Sequence, residues 1–210
     1  MIQLSRTSLS KDFVIVTTNK SVRGRPRRFD PEQAVATAQR LFHAKGYDDV
    51  SVADLTTAFG INPPSFYAAF GSKAQLYKRV LDRYAQTGAV PLLQILGANR
   101  PLAVSLAQVL EQAARAYAAD PSATGCMVLE GTRSNDVEAR EAACAFHVAA
   151  QEVIRNAIAE RYPLEADRLA DFVSTTMAGL SASARHGQSL DRLLATAQLA
   201  GVALAQALPG

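Results

Sequence analysis

Residues 51–70 read SVADLTTAFGINPPSFYAAF, and this stretch decides the fold of the N-terminal part of the chain. Ser51 is a typical N-cap residue, and the apolar residues after it recur at the spacing of one helical face. Gly60 suits the left-handed residue at the end of a helix, and Asn62, followed by two prolines, is typical of the start of the next helix. The stretch therefore predicts two short helices joined by a tight turn, an arrangement that can place its second helix in the major groove of DNA.

A basic segment precedes this predicted helix-turn-helix. Residues 23–28 read RGRPRR, and residues 1–28 carry seven Lys or Arg against a single Asp, whereas the whole 210-residue chain has a net charge of +3. Positive charge is thus concentrated at one end, as expected when that end meets nucleic acid. We predict that Arg25, Arg27 and Arg28 enter a minor groove. A solubilising leader is the alternative interpretation.

The rest of the chain is punctuated by proline and glycine and shows helical rather than strand periodicity. We predict an all-α fold of about nine helices, with an N-terminal three-helix DNA-binding head and a C-terminal helical bundle. Beyond the head, helices are expected near 101–119, 125–133, 136–162, 165–186 and 189–208. The predicted divisions are a flexible basic arm at 1–27, a DNA-binding domain at 28–88 with its helix-turn-helix motif at 51–70, and an effector-binding and dimerisation domain at 89–210.

Several classes of function are disfavoured by what the sequence lacks. It has no metal-ligand spacing, no Gly-rich phosphate loop and no GxSxG motif, so we predict neither an enzyme nor a cofactor or metal site. Its two cysteines are too few for a disulfide scaffold and indicate a reducing compartment, and the apolar stretch 193–208 is shorter than a membrane span. We therefore predict a cytoplasmic protein.

Residues 24–84 resemble the TetR/AcrR family of bacterial regulators. The shared features are the GYxxxS turn, the SVxDL helix, the AxGI turn and the SxYxxFxSKxxL segment, at matching spacing. The resemblance implies a ligand-responsive repressor that binds a double-stranded DNA operator as a homodimer and is released by an unknown small-molecule effector. Two alternatives stay open: a helical ligand-binding or adaptor protein without DNA binding, and a thiol- or redox-responsive regulator acting through Cys126. A small packing cysteine is the simpler interpretation of that residue.

The resemblance also assigns residues to the DNA contact. Asn62–Phe70 corresponds to the recognition helix, Tyr67 and Lys73 correspond to phosphate-binding positions, and Thr56 is expected on the outer side of the preceding helix. Because the recognition segment has no Arg, Lys, Gln or His, the bidentate guanine contact is missing, and we expect phosphate contacts, the arm and DNA shape to carry more of the affinity. The predicted DNA-binding residues are Arg25, Arg27, Arg28, Thr56, Asn62, Pro64, Ser65, Tyr67 and Lys73.

The C-terminal half is expected to hold both a dimer interface and an effector cavity. The last two predicted helices carry apolar stripes with small residues, and two such helices from each subunit can form a four-helix, two-fold interface. The alternative is that both stripes face the core of one chain. The predicted interface residues are Leu169, Val173, Thr176, Leu180, Leu193, Ala197, Gly201 and Leu204. By the resemblance, the middle helices surround a cavity lined by Leu106, Leu110, Tyr117, Met127, Phe146, His147, Phe172 and Met177, with Glu130, Arg133 and Arg155 as further polar anchors.

Overall fold

The computed structural model describes residues 29–208, which contain ten α-helices, one turn of 3-10 helix and no strand. The helices are α1 (Pro31–Lys45), α2 (Val52–Phe59), α3 (Pro63–Phe70), α4 (Lys73–Thr87), α5 (Leu92–Leu96), α6 (Leu102–Ala118), α7 (Met127–Gly131), α8 (Val137–Ala159), α9 (Ala166–Arg185) and α10 (Leu190–Ala207), with the 3-10 turn at Pro163–Glu165. The predicted all-α class is confirmed, and a short helix, α5, precedes the helix that the sequence predicts near 101–119. None of these described helices is long and apolar enough to cross a membrane.

Helices α2 and α3 begin where the sequence places their caps, and α1 is capped in the same way. The Asp30 side chain accepts a hydrogen bond from the first turn of α1, and Ser51 and Asp54 form a reciprocal capping box at the start of α2. Gly60 ends α2 with φ of 69° and ψ of 33°, a left-handed conformation that is costly for a residue with a Cβ. Asn62 caps α3. Because the side-chain caps satisfy backbone N–H groups that lack helical partners, the local sequence sets where these helices begin.

The head, made of α1 to α4, packs around aromatic side chains. Phe42 from α1, Phe66 from α3 and Tyr77 from α4 are almost fully buried, and the rings of Phe42 and Tyr77 meet edge-on with centroids 5.2 Å apart. The same apolar core continues into α7 and α8, where Met127 and Ala143 are buried. The head is therefore packed directly onto C-terminal helices as well as being joined to them through α4.

A second apolar core lies between α6, α9 and α10. Six of the eight residues predicted for the dimer interface belong to this core and are at most 3% exposed: Leu169, Val173, Leu180, Leu193, Ala197 and Leu204. Gly201 also faces α6, since a Cβ on it would lie 3.0 Å from the Cβ of Ala107. The predicted stripes are apolar faces of α9 and α10 as expected, but they pack mainly inside the chain, and Leu169 and Leu204 lie in the wall of a groove between the two helices.

The opposite faces of α9 and α10 are exposed and partly apolar. Phe172, Leu199 and Val202 are 39%, 73% and 55% exposed, and Gly179 is exposed as well. Of the eight predicted interface residues, Thr176 is the one on this side: it is half-buried, and its hydroxyl donates to the carbonyl oxygen of Phe172 at 2.8 Å. This outer face is the solvent-exposed side of the two helices.

Candidate DNA interface and effector cavity

Helix α3 turns one side to the head core and the other side to solvent. Phe66 is fully buried, whereas Pro64, Ser65, Tyr67 and Ala68 are exposed. Tyr67 is 53% exposed, and its ring packs edge-on against Phe66 with centroids 5.4 Å apart. The outer side of α3 thus carries two hydroxyl groups and small apolar surfaces on a helix, the element that a major groove admits.

The side chain of Asn62 is already used to start α3. Its Oδ1 accepts the backbone N–H of Ser65 at 2.9 Å, so the amide oxygen is committed to the cap. The amide NH₂ group is the part that can still donate to a base or a phosphate. Bidentate recognition of adenine would require the same oxygen to accept a second hydrogen bond, so the cap competes with it.

Thr56 lies on the inner side of α2, which corrects the prediction that it faces outward toward a phosphate. It is 6% exposed, and its hydroxyl donates to the carbonyl oxygen of Ala53 at 3.0 Å. Because it follows Val52 by four residues and precedes Phe59 by three, it shares their inward face. Thr57 is exposed, so it is the threonine of α2 whose side chain meets solvent.

Lys73, at the start of α4, is held by the turn between α1 and α2. Its ammonium donates to the carbonyl oxygens of Tyr47 and Val50 at 3.0 and 2.9 Å and lies 3.9 Å from the centre of the Tyr47 ring. Burial lowers the pKa of Lys73, while the nearby carboxylates of Asp48 and Asp136 act in the opposite direction. Since an ammonium has three N–H donors, one remains for a phosphate.

The predicted arm lies outside the described residues, and Arg25, Arg27 and Arg28 with it. The first described residue, Phe29, packs edge-on against Phe70 of α3 with ring centroids 6.0 Å apart. The chain therefore enters the head beside α3, and the minor-groove contact of the three arginines stays a prediction.

A polar cluster, which we name the head–body clamp, joins the turn between α1 and α2 to the loop between α7 and α8. The Asp48 carboxylate accepts hydrogen bonds from the Ser134 hydroxyl at 2.7 Å and from the backbone N–H of Asn135 at 2.9 Å, and the Tyr47 hydroxyl donates to Asp136 at 3.1 Å. The N–H of Asn135 is the main cause that lowers the pKa of Asp48. Because 86 residues separate Asp48 from Ser134, no local pattern in the sequence indicates this cluster.

An apolar cavity of about 470 Å³ lies among α4, α5, α8 and α9. Its wall includes Tyr84 of α4, the segment 89–94, Tyr117 of α6, Cys126, and parts of α8 between residues 146 and 154. The described residues that line it include no Asp, Glu, Lys or Arg. Its volume is within the range of small-molecule sites, roughly 300–1,000 Å³.

Half of the predicted cavity residues line this cavity, namely Tyr117, Phe146, His147 and Met177. Leu106, Leu110 and Met127 do not line it, since they are at most 1% exposed and fill the two apolar cores. Phe172 lines a separate groove between α9 and α10. Sequence reasoning missed the wall formed by residues 89–94, because an irregular stretch followed by the five-residue helix α5 is too short to show a helical period that indicates which way it faces.

The uncharged polar side chains of the cavity wall are those of Tyr84, Gln94, Tyr117, Cys126, His147, Gln151 and Ser174. The Cys126 thiol lies beside the phenol hydroxyls of Tyr84 and Tyr117. Burial raises the pKa of each phenol far above the ordinary value of a tyrosine. Burial lowers the pKa of His147, so its ring is neutral at pH 7. The Ser174 hydroxyl, on α9, is buried and has no hydrogen-bond partner within the described residues.

The three predicted polar anchors lie away from this cavity. Glu130 and Arg133 line a smaller cavity, and the Glu130 carboxylate is 3.2 Å from the guanidinium of Arg185. Arg155 pairs with Glu152 at 2.9 Å on the surface of α8. These charged side chains therefore do not line the apolar cavity of about 470 Å³, which is called the main cavity below.

The described part of the chain contains no group of three or more His, Cys, Asp or Glu side chains that could hold a metal ion. Both Cys126 and Cys144 are free thiols. The thiol of Cys126 is the one that the fold places in the wall of the main cavity.

Comparison with known proteins gives consistent matches. The profile of the bacterial regulatory proteins of the tetR family matches residues 34–80. The HTH-type transcriptional repressor BdcR of Escherichia coli (strain K12) is 52% identical over 191 residues, which cover 90% of this chain and 97% of that protein. The HTH-type transcriptional repressor ComR of the same organism is 30% identical over 196 residues, covering 88% of this chain and 92% of that protein.

One solved structure shares both fold and sequence with this chain. It is a cysteine mutant of the TetR family transcriptional regulator CifR, complexed with 26-bp double-strand operator DNA. It aligns with a TM-score of 0.75 at 31% identity and covers 85% of this chain and 99% of that chain.

Proposed function

The chain belongs to the TetR family of bacterial regulatory proteins, and from that premise we propose that it is a homodimeric repressor which leaves its operator when a small molecule fills the cavity. The relatives BdcR and ComR are transcriptional repressors rather than enzymes, and the CifR structure contains operator DNA. The observation that carries the proposal is the outer side of α3, which is solvent-exposed and backed by a rigid aromatic core. A repressor of this kind works in the cytoplasm.

The DNA contact combines weak direct recognition with phosphate binding. Ser65 and the NH₂ group of Asn62 are the polar groups of α3 that can reach base edges, and Pro64 and Ala68 can contact thymine methyl groups. The Tyr67 hydroxyl and the third N–H of Lys73 are suited to phosphates on either side of the groove. Phosphate contacts, the three arginines of the arm and the shape of the duplex then supply most of the affinity.

Dimerisation places two heads on two half-sites of one operator. We assign the interface to the outer faces of α9 and α10, where Phe172, Leu199 and Val202 are exposed and Gly179 permits close approach. Two helices from each subunit then form a four-helix interface, as the sequence predicts, but through the face opposite to the predicted stripes. The division into an arm at 1–27, a DNA-binding domain at 28–88 and an effector-binding and dimerisation domain at 89–210 is part of this proposal.

Release from DNA follows from differential binding. A molecule that fits the cavity better in a state with altered head spacing shifts the population toward that state and lowers operator affinity. Two connections can carry the shift: α4, which starts at Lys73 in the head and reaches the cavity at Tyr84, and the head–body clamp beside α7.

Regulation through a thiol is a second candidate, because Cys126 lies in the cavity wall. An electrophile held in the cavity would be close to this thiol, whereas Cys144 does not line the cavity. If the thiol is the sensor, Cys126→Ser abolishes operator release by oxidants and electrophiles, while Cys144→Ser retains it. If release is unchanged in Cys126→Ser, the residue has a packing role.

The proposed function is tested by selecting operators from a random duplex library with the full-length chain and measuring affinity by gel shift. We expect the double variant Ser65→Ala, Tyr67→Ala to lose at least about tenfold in affinity, since it removes both outward hydroxyls of α3. Tyr67→Phe isolates the hydroxyl, and Leu164→Ala, at a 97% exposed position far along the chain, is the control. No enriched operator, or parental affinity in the double variant, would overturn the DNA-binding role of α3.

A further inference from the structure

Two buried serines in the C-terminal helices have hydroxyl oxygens without a hydrogen-bond partner in the described residues: Ser105 on α6 and Ser174 on α9. Hydroxyls elsewhere in these helices do find partners, as Thr196 does by donating to the carbonyl oxygen of Arg192 at 3.1 Å. Buried polar groups without a partner are uncommon and call for a specific explanation.

The two serines differ in what they face. Ser105 is 1% exposed and does not line the main cavity, so its hydroxyl is enclosed by packed side chains. Ser174 is 8% exposed and lines the cavity. Because Ser174 lines the cavity wall, a rotation about its χ1 brings its hydroxyl to a molecule in the cavity, whereas Ser105 does not line the cavity.

The rest of the wall restricts which molecules fit. Among the described residues that line the cavity there is no charged side chain, and the wall is mostly Ala, Leu, Val and aromatic residues. An ion placed there would lose its hydration and gain no counter-charge, which is strongly unfavourable. An uncharged molecule with a mainly apolar body loses little on entering such a cavity.

We propose that the cavity binds an uncharged, mainly apolar small molecule carrying a carbonyl oxygen, and that the Ser174 hydroxyl donates a hydrogen bond to this oxygen. This proposal rests on the proposed function, because it names the chemical class of the effector. It also makes Ser174 the residue that separates oxygen-bearing ligands from hydrocarbons of the same shape, since a hydroxyl without a partner gains one when such a ligand binds.

Direct binding is measured by calorimetry with the full-length chain and three probe series of graded alkyl length. These are alkyl phenyl ketones, the matched alkylbenzenes that lack the oxygen, and phenylalkanoates that carry a carboxylate. Flexible chains of several lengths let the probes adapt to the shape of the cavity. The protein variants are Ser174→Ala and the matched control Ser105→Ala, which removes an equally buried hydroxyl outside the cavity.

We expect at least one ketone to bind saturably and the phenylalkanoates to bind more weakly or not at all. Ser174→Ala should weaken ketone binding by about tenfold and leave alkylbenzene binding unchanged, and Ser105→Ala should change neither. A merely structural effect of Ser174→Ala would weaken both neutral series alike. The proposal is overturned if no ketone binds, if carboxylates bind as well as ketones, or if Ser174→Ala leaves ketone affinity unchanged.

Operator release is measured separately by gel shift with the same ketones. If a ketone binds through Ser174 but the complex with DNA persists, the assignment of the ligand class stands and the effector role of the cavity fails. If the ligand-free chain does not bind any selected operator, the proposed function fails independently of the chemistry of the cavity.

Discussion

At the scale of single residues, Lys73 has a structural role beside the phosphate contact that we propose for it. Two of its three N–H donors bind the carbonyl oxygens of Tyr47 and Val50 in the turn before α2. Hydrogen bonds from a charged donor contribute more to stability than exposed ion pairs. The position of α2 relative to α4, and with it the orientation of α3, therefore depends on this one ammonium group.

Lys73→Met tests the structural role, because methionine keeps most of the apolar stem and removes the donors. We expect the free energy of unfolding to fall by about 1–2 kcal/mol in urea denaturation. The control is Lys78→Met, which removes an exposed ion pair to Glu138 at 2.8 Å and should cost no more than about 0.5 kcal/mol. Equal losses in the two variants would contradict a structural role for Lys73.

His43 is a second residue with a measurable consequence, here for pH dependence. Its Nε2 lies 3.0 Å from the carbonyl oxygen of Gly125, which joins α1 to the segment before α7, so in the neutral ring this nitrogen carries the proton. Burial lowers the pKa of His43 below its ordinary value of 6.5, and the hydrogen bond to Gly125 only partly offsets this. The unfolded chain then binds more protons than the folded chain between the lowered pKa and 6.5.

The contribution of His43 to the free energy of unfolding should therefore be fully present above pH 6.5 and be lost as the pH falls toward the lowered pKa of the folded chain. His43→Gln should reduce this decrease, while His147, whose pKa burial also lowers, contributes the remainder. His186→Gln, at an exposed position after α9, is the control and should leave the slope as in the parent. A slope that His43→Gln does not change would show that this imidazole does not link stability to pH. Urea titrations at several pH values measure the dependence of the free energy of unfolding on pH.

At the scale of helices, local sequence rules account for where helices begin and less well for what their faces meet. Ser51 and Asn62 cap the helices whose starts they predict, because capping involves residues three positions apart. The prediction that Thr56 lies on the outer side of α2 is wrong. Its spacing of four residues from Val52 already indicates the inward face of the helix. The stripes of α9 and α10 are apolar as predicted, but whether such a stripe meets α6 or a second chain depends on helix crossings that no local pattern contains.

The head–body clamp gives a prediction at this scale. Asp48→Ala removes the acceptor for Ser134 and Asn135 and should lower the free energy of unfolding by about 1–2 kcal/mol. Asp49→Ala is a matched control, since Asp49 is the adjacent residue, has the same charge, is exposed and makes no hydrogen bond or ion pair with the described residues. The free energy of unfolding of Asp49→Ala should stay within about 0.5 kcal/mol of that of the parent. If the denaturation curves of the two variants coincide, the head–body clamp does not help to hold the head on the C-terminal helices.

At the scale of the whole molecule, the sequence predicts the two-part architecture and the location of a cavity among the middle helices, but not its lining. Tyr117 and Met177 were predicted because they are apolar residues on those helices, and Leu106 and Leu110 were predicted for the same reason. The packed structure separates them: the first pair lines the cavity and the second fills the core. Such a distinction requires three-dimensional packing, since burial alone is common to both sets.

The basic segment before α1 should act on DNA affinity through charge. Deleting residues 1–28 is expected to weaken operator binding severely and to reduce the slope of log K against log salt, by about 2–3 per subunit if Arg25, Arg27 and Arg28 each neutralise one phosphate. Replacing these three arginines with alanine in the full-length chain separates their effect from that of the other residues removed. Gel shifts at several salt concentrations measure the slope, and an unchanged slope after the deletion would exclude the arm from DNA binding.

The outer face of α9 and α10 decides whether the molecule can use two half-sites. The double variant Leu199→Glu, Val202→Glu places charges at positions that are 73% and 55% exposed in the single chain, so the fold of the chain should be retained while an apolar interface is disrupted. We expect sedimentation to show a monomer with unchanged helical content. Operator affinity should fall by about 10²-fold or more, because two heads joined in a dimer bind with an effective concentration that separate heads lack.

The control Leu164→Glu introduces a charge at a 97% exposed position of the turn between α8 and α9, and this variant should remain dimeric with parental affinity. If the double variant still sediments as a dimer, the interface lies elsewhere, and the geometry of the two heads on DNA has to be derived from another surface.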